Sequence, residues 1–359
     1  MDVRSFDGSR DAALWDAYVT SHPEATSDHL WGWRRVLADS FGFREAEYLG
    51  AVEEGRLVGV LPLYRIPAGW RRSALTSIPF GNYGGICADS PAAVEALLDE
   101  ARRRLDRCRG VHLELRHRQP IAQPLLHQST GTHSRFILPL GSDPDVHLRQ
   151  VGWKNRQKIN RAIRLGLQVE SALDVGRLYP IHMHTARRQG VPCFPRRYFE
   201  GILREFGERV RILLILHQGR AVSFSLYLLF GDTMLSQFSG SYAEAYTYNP
   251  NELLFWAAIQ QGCALGMKTF DFGCSRIVSG TADFKRKLGF HEEPQTYQYR
   301  YRTQSLHHGS GAARERLNPD VDTATNEHHP WLGLARRAWR RLPMTITRIC
   351  GPVVLRYFA

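Results

Sequence analysis

A short stretch near residue 280 carries an acid and a lysine at a spacing that could support catalysis. FDFGCSRIVSGTADFKRKLGF, residues 270–290, has the pattern of an apolar strand, a polar loop and one helical turn. Asp271 lies in the strand and Lys285 in the helical turn, and ligands of open α/β sheets gather beyond the carboxyl ends of strands. Lys285 could stabilise an oxyanion, while Asp271 could orient a nucleophile or take its proton. A structural salt bridge between Asp271 and a basic neighbour accounts for the same residues.

Further polar side chains extend this candidate cleft. The loop before Lys285 offers short polar groups and one cation, which suit a cleft floor: Ser275, Arg276, Ser279 and Thr281. The stretch GNYGG (81–85) does not open a helix, so it predicts a loop that lines a cleft rather than a phosphate cradle. Three weaker cleft candidates are Tyr83, Tyr248 and Asn251. The sequence shows no recognisable Ser-His-Asp set and no phosphate-binding loop motif.

A basic segment precedes the second half of the chain. The pattern predicts one helix from Asp143 to about Leu165, with Gly166 as its stop. Between 153 and 164 there are basic residues and no acid, and three of them share one helical face: Lys154, Lys158 and Arg161. A solvated face explains such a run, and so does a bound anion that offsets the repulsion. Lys154 and Arg156 could bind phosphate or sugar-acid groups of an acceptor.

An internal duplication predicts the architecture. Segments 33–66 and 198–230 each contain an amphipathic helix ending near Phe-Gly, an apolar strand, a tight Gly-Arg turn and a second apolar strand. Each is followed by a helix that starts at proline and by another strand. We therefore predict an α/β fold of two similar domains, 1–145 and 146–302, each with a mixed sheet flanked by helices.

The remaining segment, 303–359, has a different composition. Its first part is polar and predicts a loose linker, and its second part is rich in arginine, tryptophan and aliphatic residues, without acids. An apolar face can form on one side of a helix, with arginines elsewhere: Trp331, Leu334, Ala335 and Ala338. This basic amphipathic tail suits an anionic membrane surface, and docking on the body of the protein explains it equally well.

Composition and motif content limit the partners, the location and the metal sites that we expect of this protein. The chain has 359 residues and a formal net charge of +12, which favours an anionic partner. It carries no signal-peptide pattern and no apolar run long enough to span a membrane, and its six scattered cysteines suit a reducing cytoplasm. Its histidines lack the spacing of a metal site, so we expect no metal. No DNA-reading motif is recognisable, so we expect no DNA partner.

The order of three motifs resembles a known family. WKNRQKINRAIRLGLQV, YNPNELLFWAAIQQGCALGMKTFDFG and GTADFKRKLGF follow one another as in the FemAB/FemX group. The chain looks most similar to FemAB-related proteins found with bacterial exopolysaccharide and exosortase (PEP-CTERM) gene clusters, over about residues 20–302. The resemblance implies two tandem acetyltransferase-type (GNAT-like) domains, with the catalytic site in the second.

The resemblance also implies an activity. Characterised members of the group transfer an amino acid from aminoacyl-tRNA to an amine of a cell-wall precursor. Phe284-Lys285 matches the family's Phe-Lys, whose lysine is implicated in stabilising the transition state, and the basic helix at 153–164 matches its Lys-x-Arg segment. The chain lacks the inserted helical hairpin of some members, and YTYNPNEL before the helix at 251 lacks the glycines of a coenzyme A loop. The donor is therefore open between aminoacyl-tRNA and acyl-CoA.

These observations predict a transferase that forms no covalent enzyme intermediate. It would move an acyl or aminoacyl group onto an amine or hydroxyl of a cell-envelope or exopolysaccharide precursor, without a tightly bound cofactor. The expected partners are a small-molecule or lipid-linked saccharide acceptor, tRNA if that is the donor, and an anionic membrane. The location would be cytoplasmic, including the inner face of the membrane. The alternative is a non-catalytic protein of the same fold that binds an anionic saccharide or RNA.

Overall fold

The computed structural model describes residues 1–68, 72–302 and 330–358. These residues form two compact units. The first comprises 1–132 with the described parts of 295–333 and 353–359, and the second comprises 133–294 and 334–352. The sequence-based division into 1–145, 146–302 and 303–359 stays a prediction, and the linker predicted from residue 303 onward lies largely outside the described residues.

The first unit is a mixed sheet with helices packed on it. Its strand order is β1-β2-β3-β4-β6-β13, with β5 beside β3, and its neighbours are antiparallel except for the parallel pair β4 and β6. The strands are β1 (Asp2–Phe6), β2 (Ala46–Glu53), β3 (Arg56–Pro67), β4 (Ser73–Thr76), β5 (Cys87–Ala88), β6 (His112–Leu115) and β13 (His291–Tyr301), of which β13 belongs to this unit from residue 295 onward. The helices are α1 (Ser9–Ser21), α2 (Trp33–Phe41) and α3 (Pro91–Arg107), with a 3-10 turn at Ser27–His29.

The helix α3 shows how the sequence builds this unit. Ser90 caps its first turn by accepting a hydrogen bond from the Ala93 N–H, and Pro91 takes the first helical position. Apolar residues recur along one side of the helix and are buried against the strands: Leu97, Ala101 and Leu105. This buried stripe fixes the side of α3 that faces the sheet.

The second unit repeats this architecture. Its strand order is β7-β12-β11-β10-β9-β8, mixed in direction because β11 and β12 are parallel while the other neighbours are antiparallel. The strands are β7 (His127–Pro139), β8 (Gln168–Ser171), β9 (Val210–His217), β10 (Arg220–Phe230), β11 (Thr233–Ser241) and β12 (Thr269–Arg276), of which β7 belongs to this unit from residue 133 onward. The helices are α4 (Pro144–Gln150), α5 (Trp153–Arg164), α6 (Val175–Gln189), α7 (Arg196–Phe206), α8 (Pro250–Ala264), α9 (Gly280–Lys287), α10 (Pro330–Arg341) and α11 (Met344–Leu355), with 3-10 turns at Gly207–Arg209 and Ala243–Tyr248.

Both units contain the hairpin that the duplicated sequence predicts. The turn between β2 and β3 has positive φ at Glu54 (49°) and Gly55 (77°), and the turn between β9 and β10 has nearly the same values at Gln218 (51°) and Gly219 (77°). Two successive residues with positive φ form a type I′ turn, whose twist matches that of the flanking strands. Helices and mixed sheets in both units confirm the predicted fold class.

The single helix predicted over 143–165 is wrong. The chain forms two helices there, α4 and α5, because Val151 and Gly152 adopt extended backbone between them. Val151 is buried, so the interruption turns an apolar side chain inward rather than leaving it on a continuous solvated helix. The predicted stop at Gly166 is confirmed by its φ of +78° just beyond α5.

The two C-terminal helices pack on the second unit with one face. Thr347 is buried, and a Cβ placed on Gly351 would come within 2.9 Å of the Cys193 carbonyl oxygen, so glycine permits this close approach. On other faces Leu334 is 61% exposed and Ile349 64%. Docking on the protein body thus involves part of the tail, while apolar side chains of the predicted face remain at the surface. Within the described ranges, no helix has the length and apolar character needed to span a membrane.

Candidate functional site

A gap opens between two parallel strands of the second unit. In the described residues β11 pairs with β12 at Thr233–Leu235 and Thr269–Asp271. Beyond this start β11 stays paired with β10 as far as Ser241, whereas β12 stays paired with β7 as far as Arg276. The carboxyl-terminal halves of the two strands therefore diverge. Such a divergence at the carboxyl ends of parallel strands is where α/β sheets bind ligands.

A bulge in β12 marks the beginning of this gap. The register of β12 against β7 shifts between Asp271 and Cys274, and Gly273 has a φ of +68°, which favours glycine. The Gly273 N–H donates to Oδ1 of Asp271 at 2.7 Å. Asp271 is 5% exposed and thus holds the bulge from within. The bulge turns the carbonyl groups of Phe272 and Gly273 away from the regular ladder.

Lys285 meets these carbonyl groups. Its helix, α9, begins after Ser279, whose hydroxyl accepts from the Ala282 N–H at 3.1 Å. Ala282 and Lys285, three residues apart, are the buried residues of α9, and Lys285 is 3% exposed. The Lys285 Nζ donates to the carbonyl oxygens of Phe272 at 2.6 Å and Gly273 at 3.0 Å.

Aromatic rings complete the environment of this ammonium group. Nζ lies 5.0 Å from the ring centroid of Phe136 and 4.9 Å from that of Phe272, within cation–π range. Burial lowers the pKa of Lys285 to about 8, although the nearby Cys274 and Asp271 act in the opposite direction. A lysine with this pKa is mostly protonated at neutral pH and can lose its proton within a range accessible to experiment.

In the structure the two predicted residues, Asp271 and Lys285, both form a hydrogen bond with the backbone of Gly273. Gly273 links them, because its N–H donates to Asp271 and its carbonyl oxygen accepts from Lys285. An ammonium group has three N–H donors, and the hydrogen bonds of Lys285 to the described residues use two of them. The third donor can serve a ligand.

The basic helix α5 lies beside α9. The Asn155 side chain donates to the Lys287 carbonyl oxygen at 2.8 Å, which ties the start of α5 to the end of α9. Lys154 is exposed, whereas the Arg156 guanidinium donates to the Arg149 carbonyl oxygen at 2.7 Å. Part of the charge of the basic face is neutralised by the protein itself, because the exposed Lys158 pairs with the buried Glu252 at 2.8 Å.

The other predicted residues of the second unit occupy varied positions. Asn251 accepts a hydrogen bond from Ser241 at the carboxyl end of β11, and Tyr248 packs on His217 with ring centroids 4.3 Å apart. Arg276 ends β12, and its carbonyl oxygen accepts from the Ser279 hydroxyl at 2.8 Å. Phe284 is half-buried on α9. Their roles in binding stay predictions.

Tyr83 lies in the first unit and is buried, with 2% exposure. Its loop is held by Asp28, whose Oδ2 accepts from the N–H groups of Asn82 at 2.7 Å and Tyr83 at 2.9 Å. The ring is therefore part of the packed interior of that unit, and its predicted contact with a ligand would require the loop to move.

One polar residue near the gap carried no signal in the sequence. Gln237 is the extra residue of a bulge in β11, two positions beyond Leu235, the last residue of β11 that pairs with β12. Its Nε2 is buried without a hydrogen-bond partner among the described residues. An isolated glutamine in an apolar strand could not be distinguished in the sequence from an ordinary strand residue. No group of three or more metal-type ligands occurs in the part of the chain that the structure describes.

Comparison with known proteins agrees with this geometry. Residues 153–286 match the family model of the acetyltransferase (GNAT) domain. No curated protein sequence is significantly similar to the chain.

Several solved structures share the fold. FemX is 16% identical, with a TM-score of 0.66 over 85% of this chain and 98% of FemX. A tandem GNAT protein from the clavulanic acid biosynthesis pathway is 12% identical, with a TM-score of 0.51 over 84% of this chain and 98% of its own. L-PGS from Bacillus licheniformis is 13% identical, with a TM-score of 0.52 over 75% of this chain and 90% of its own. Residues 153–286, the segment that matches the acetyltransferase (GNAT) domain model, include the diverging strands, Asp271 and Lys285, and the fold of the chain is similar to that of FemX.

Proposed function

We propose that the protein is an acyl- or aminoacyltransferase that acts on an amine or hydroxyl group. The observation that carries the proposal is the buried ammonium of Lys285, held at a strand bulge where two parallel strands diverge. A cation that lies in surroundings of low dielectric and has one unused N–H donor is suited to stabilise the negative charge that develops on an acyl oxygen. The GNAT match of the surrounding segment supports the same reaction class.

In the proposed reaction the acceptor nitrogen or oxygen attacks the activated carbonyl carbon directly. A new bond from the acceptor to the acyl carbon forms, and the electron pair of the carbonyl moves to oxygen, which Lys285 stabilises. The carbonyl then re-forms, and the bond to the leaving group, a thiolate or a ribose oxygen, breaks. The proton of the acceptor leaves to solvent or to the leaving group, so no covalent enzyme intermediate is required.

Asp271 acts in this scheme as a positioning residue. Its Oδ1 is engaged by the Gly273 N–H, and Gly273 in turn presents its carbonyl oxygen to Lys285. We expect Asp271→Asn, which keeps an acceptor oxygen, to retain transfer activity within about tenfold, while Asp271→Ala loses more, because a short Asx-type hydrogen bond holds the turn. Since the Asp271 charge raises the pKa of Lys285, the alkaline limb of activity should also move to lower pH in Asp271→Asn.

Steady-state kinetics over a range of pH tests this role. Equal and complete loss of activity in the asparagine and alanine variants would instead support the general-base role considered from the sequence.

The donor is an aminoacyl-tRNA or an acyl-CoA, and the acceptor is a cell-envelope or exopolysaccharide precursor. The resemblance of the motif order to the FemAB/FemX group supports the first donor, and the match of residues 153–286 to the acetyltransferase (GNAT) domain model supports the second. We extend the proposal to a bacterial exopolysaccharide (PEP-CTERM) system because the motif order resembles proteins of such gene clusters. Incubation of the protein with labelled aminoacyl-tRNA or labelled acetyl-CoA and a lipid-linked or soluble saccharide extract tests it.

Transfer of label from one donor would establish both the class of reaction and the donor. If the protein is folded and transfers label from neither donor, the result would favour the alternative of a non-catalytic protein that binds an anionic saccharide or RNA. The exposed Lys154 on α5 supports that alternative. If RNA were the ligand, the affinity of the protein for it would fall steeply as the salt concentration rises.

We also propose that the protein binds the inner face of the cytoplasmic membrane. Ile346 and Ile349 are exposed on one side of α11, Leu334 is exposed on α10, and Arg341 and Arg348 are exposed on these helices. Apolar side chains flanked by arginines suit the interface of an anionic bilayer. We expect the protein to float with phosphatidylglycerol vesicles and Ile346→Glu/Ile349→Glu to lose most of this binding. Equal flotation of the variant, or equal binding to neutral phosphatidylcholine vesicles, would contradict the assignment.

A further inference from the structure

A cationic cavity lies in the second unit, formed by residues that the proposed reaction does not use. It has a volume of about 340 Å³ and is lined by His184, Arg187, Arg188, Ala243, Glu244 and Arg340. Its lining comes from the end of α6, the 3-10 turn after β11, and α10. Three arginines face one glutamate in this lining, so the cavity holds an excess of positive charge.

Two arginines of this cavity, Arg187 and Arg188, each have a buried nitrogen atom without a hydrogen-bond partner among the described residues. These atoms are Nε of Arg187 and Nη1 of Arg188. Buried charged donors without acceptors are unfavourable, and an anionic ligand would supply the missing acceptors.

Neighbouring contacts position two of the guanidinium groups, those of Arg188 and Arg340. The Arg188 guanidinium carbon lies 4.6 Å from the ring centroid of Tyr246, and Nη2 of Arg340 lies 3.5 Å from the Gln189 carbonyl oxygen. Gly190, with a φ of +74°, lets α10 approach the end of α6, because a Cβ there would lie 2.9 Å from the Arg336 carbonyl oxygen. The C-terminal helix α10 thus delivers Arg340 to a cavity begun by α6.

We propose that this cavity, defined by Arg187, Arg188 and Arg340, binds a phosphate or diphosphate group of a small-molecule substrate. Planar guanidinium groups bind phosphate oxygens in bidentate fashion, and several arginines around one cavity match the charge of a diphosphate. The 3-10 turn that contributes Ala243 and Glu244 directly follows β11, one of the two strands that diverge at Lys285. The identification of the ligand as a substrate rests on the proposed transferase function, whereas the anion site itself does not.

The test is isothermal titration of the full-length protein with sodium pyrophosphate at low ionic strength. We expect Arg187→Ala/Arg340→Ala to weaken binding by at least about a hundredfold, roughly tenfold for each lost charge-assisted contact. Arg188→Lys, which keeps the charge but loses the planar fork, should weaken it less. The matched control is Arg337→Ala, which removes an exposed arginine from the same helix and should leave affinity unchanged. Circular dichroism and thermal unfolding check that each variant is folded.

Two further titrations distinguish the source of the phosphate. Coenzyme A represents an acyl donor, and a uridine diphosphate sugar represents a nucleotide-linked acceptor. Competition of either with pyrophosphate supports the proposal and names the source, while competition by neither overturns the assignment to a small-molecule substrate. Pyrophosphate binding that the cavity variants do not weaken, or that Arg337→Ala weakens equally, overturns the site.

The experiment separates this inference from the proposed reaction. Binding is measured without transfer. Lys285 is not part of the cavity lining, so the Lys285→Met protein should bind pyrophosphate with wild-type affinity. If the protein transfers no label but the arginine variants still bind pyrophosphate more weakly than wild type, the anion site stands and the transferase proposal fails. Retained transfer with unchanged pyrophosphate binding in all variants would refute the anion site and leave the transferase proposal standing.

Discussion

Lys285→Met is expected to reduce kcat for transfer by about 10²–10³-fold, with a smaller effect on KM. The ammonium group is buried between two backbone carbonyl oxygens and two aromatic rings, so no water can replace its charge at the reacting oxygen. Removal of one oxyanion donor from such a site typically costs about 3–4 kcal/mol of transition-state stabilisation. Methionine has a similar length and an apolar end, so it fills the space that the lysine leaves.

The matched control for this substitution is Lys287→Met. Lys287 lies two residues further along α9 and is exposed, so Lys287→Met removes the same charge without disturbing the bulge in β12. Its activity should stay within about twofold of wild type, since isolated surface substitutions have small effects. Lys285→Met also leaves the Phe272 and Gly273 carbonyl groups without a donor, at a cost of about 1–3 kcal/mol for each buried group, so unfolding must be measured for each variant. A folded Lys285→Met protein with wild-type kcat would refute the proposed role.

Activity and stability should depend on pH in opposite directions above pH 8. Burial lowers the pKa of Lys285 from 10.5 to about 8 in the folded protein. The protonated form stabilises the oxyanion, so transfer should fall about tenfold per pH unit once pH exceeds about 8. Because the unfolded chain keeps its proton up to about pH 10.5, it binds more protons than the folded protein between these values. The free energy of unfolding contributed by this residue therefore rises with pH across that window.

The size of the stability effect follows from the shift in pKa. The difference between 10.5 and about 8 corresponds to about 3 kcal/mol at about 1.36 kcal/mol per pKa unit. Below pH 8 lysine is protonated in both states, and the whole burial penalty is present. Denaturant unfolding of wild type and Lys285→Met at several pH values isolates the residue, because other titrating groups cancel in the difference. A pH-independent difference between the two proteins would show that Lys285 titrates normally.

The sequence by itself determined the local elements of this protein. Two hairpins with Gly-containing turns, crossover helices that begin at proline, and the strand-loop-helix order around Lys285 all follow from short-range preferences and hydrophobic periodicity. These signals sufficed for the fold class and singled out Asp271 and Lys285, whose shared role in one site stays a prediction. They placed the helix stop at Gly166 correctly but missed the break at Gly152, since a buried valine before glycine resembles a helical position.

Tertiary structure decided what those residues contact. The register of β12 against β7 creates the bulge that turns two carbonyl groups toward Lys285, and Glu252, distant in sequence, neutralises Lys158 of the basic helix. The arginine cavity joins α6, the turn after β11 and α10, which are separated by long stretches of chain. Contacts between such distant segments depend on strand register and helix packing, which short-range propensities do not encode. The chemistry at Lys285 was therefore readable as a candidate in the sequence, whereas its burial, its lowered pKa and the anion cavity exist only in the folded chain.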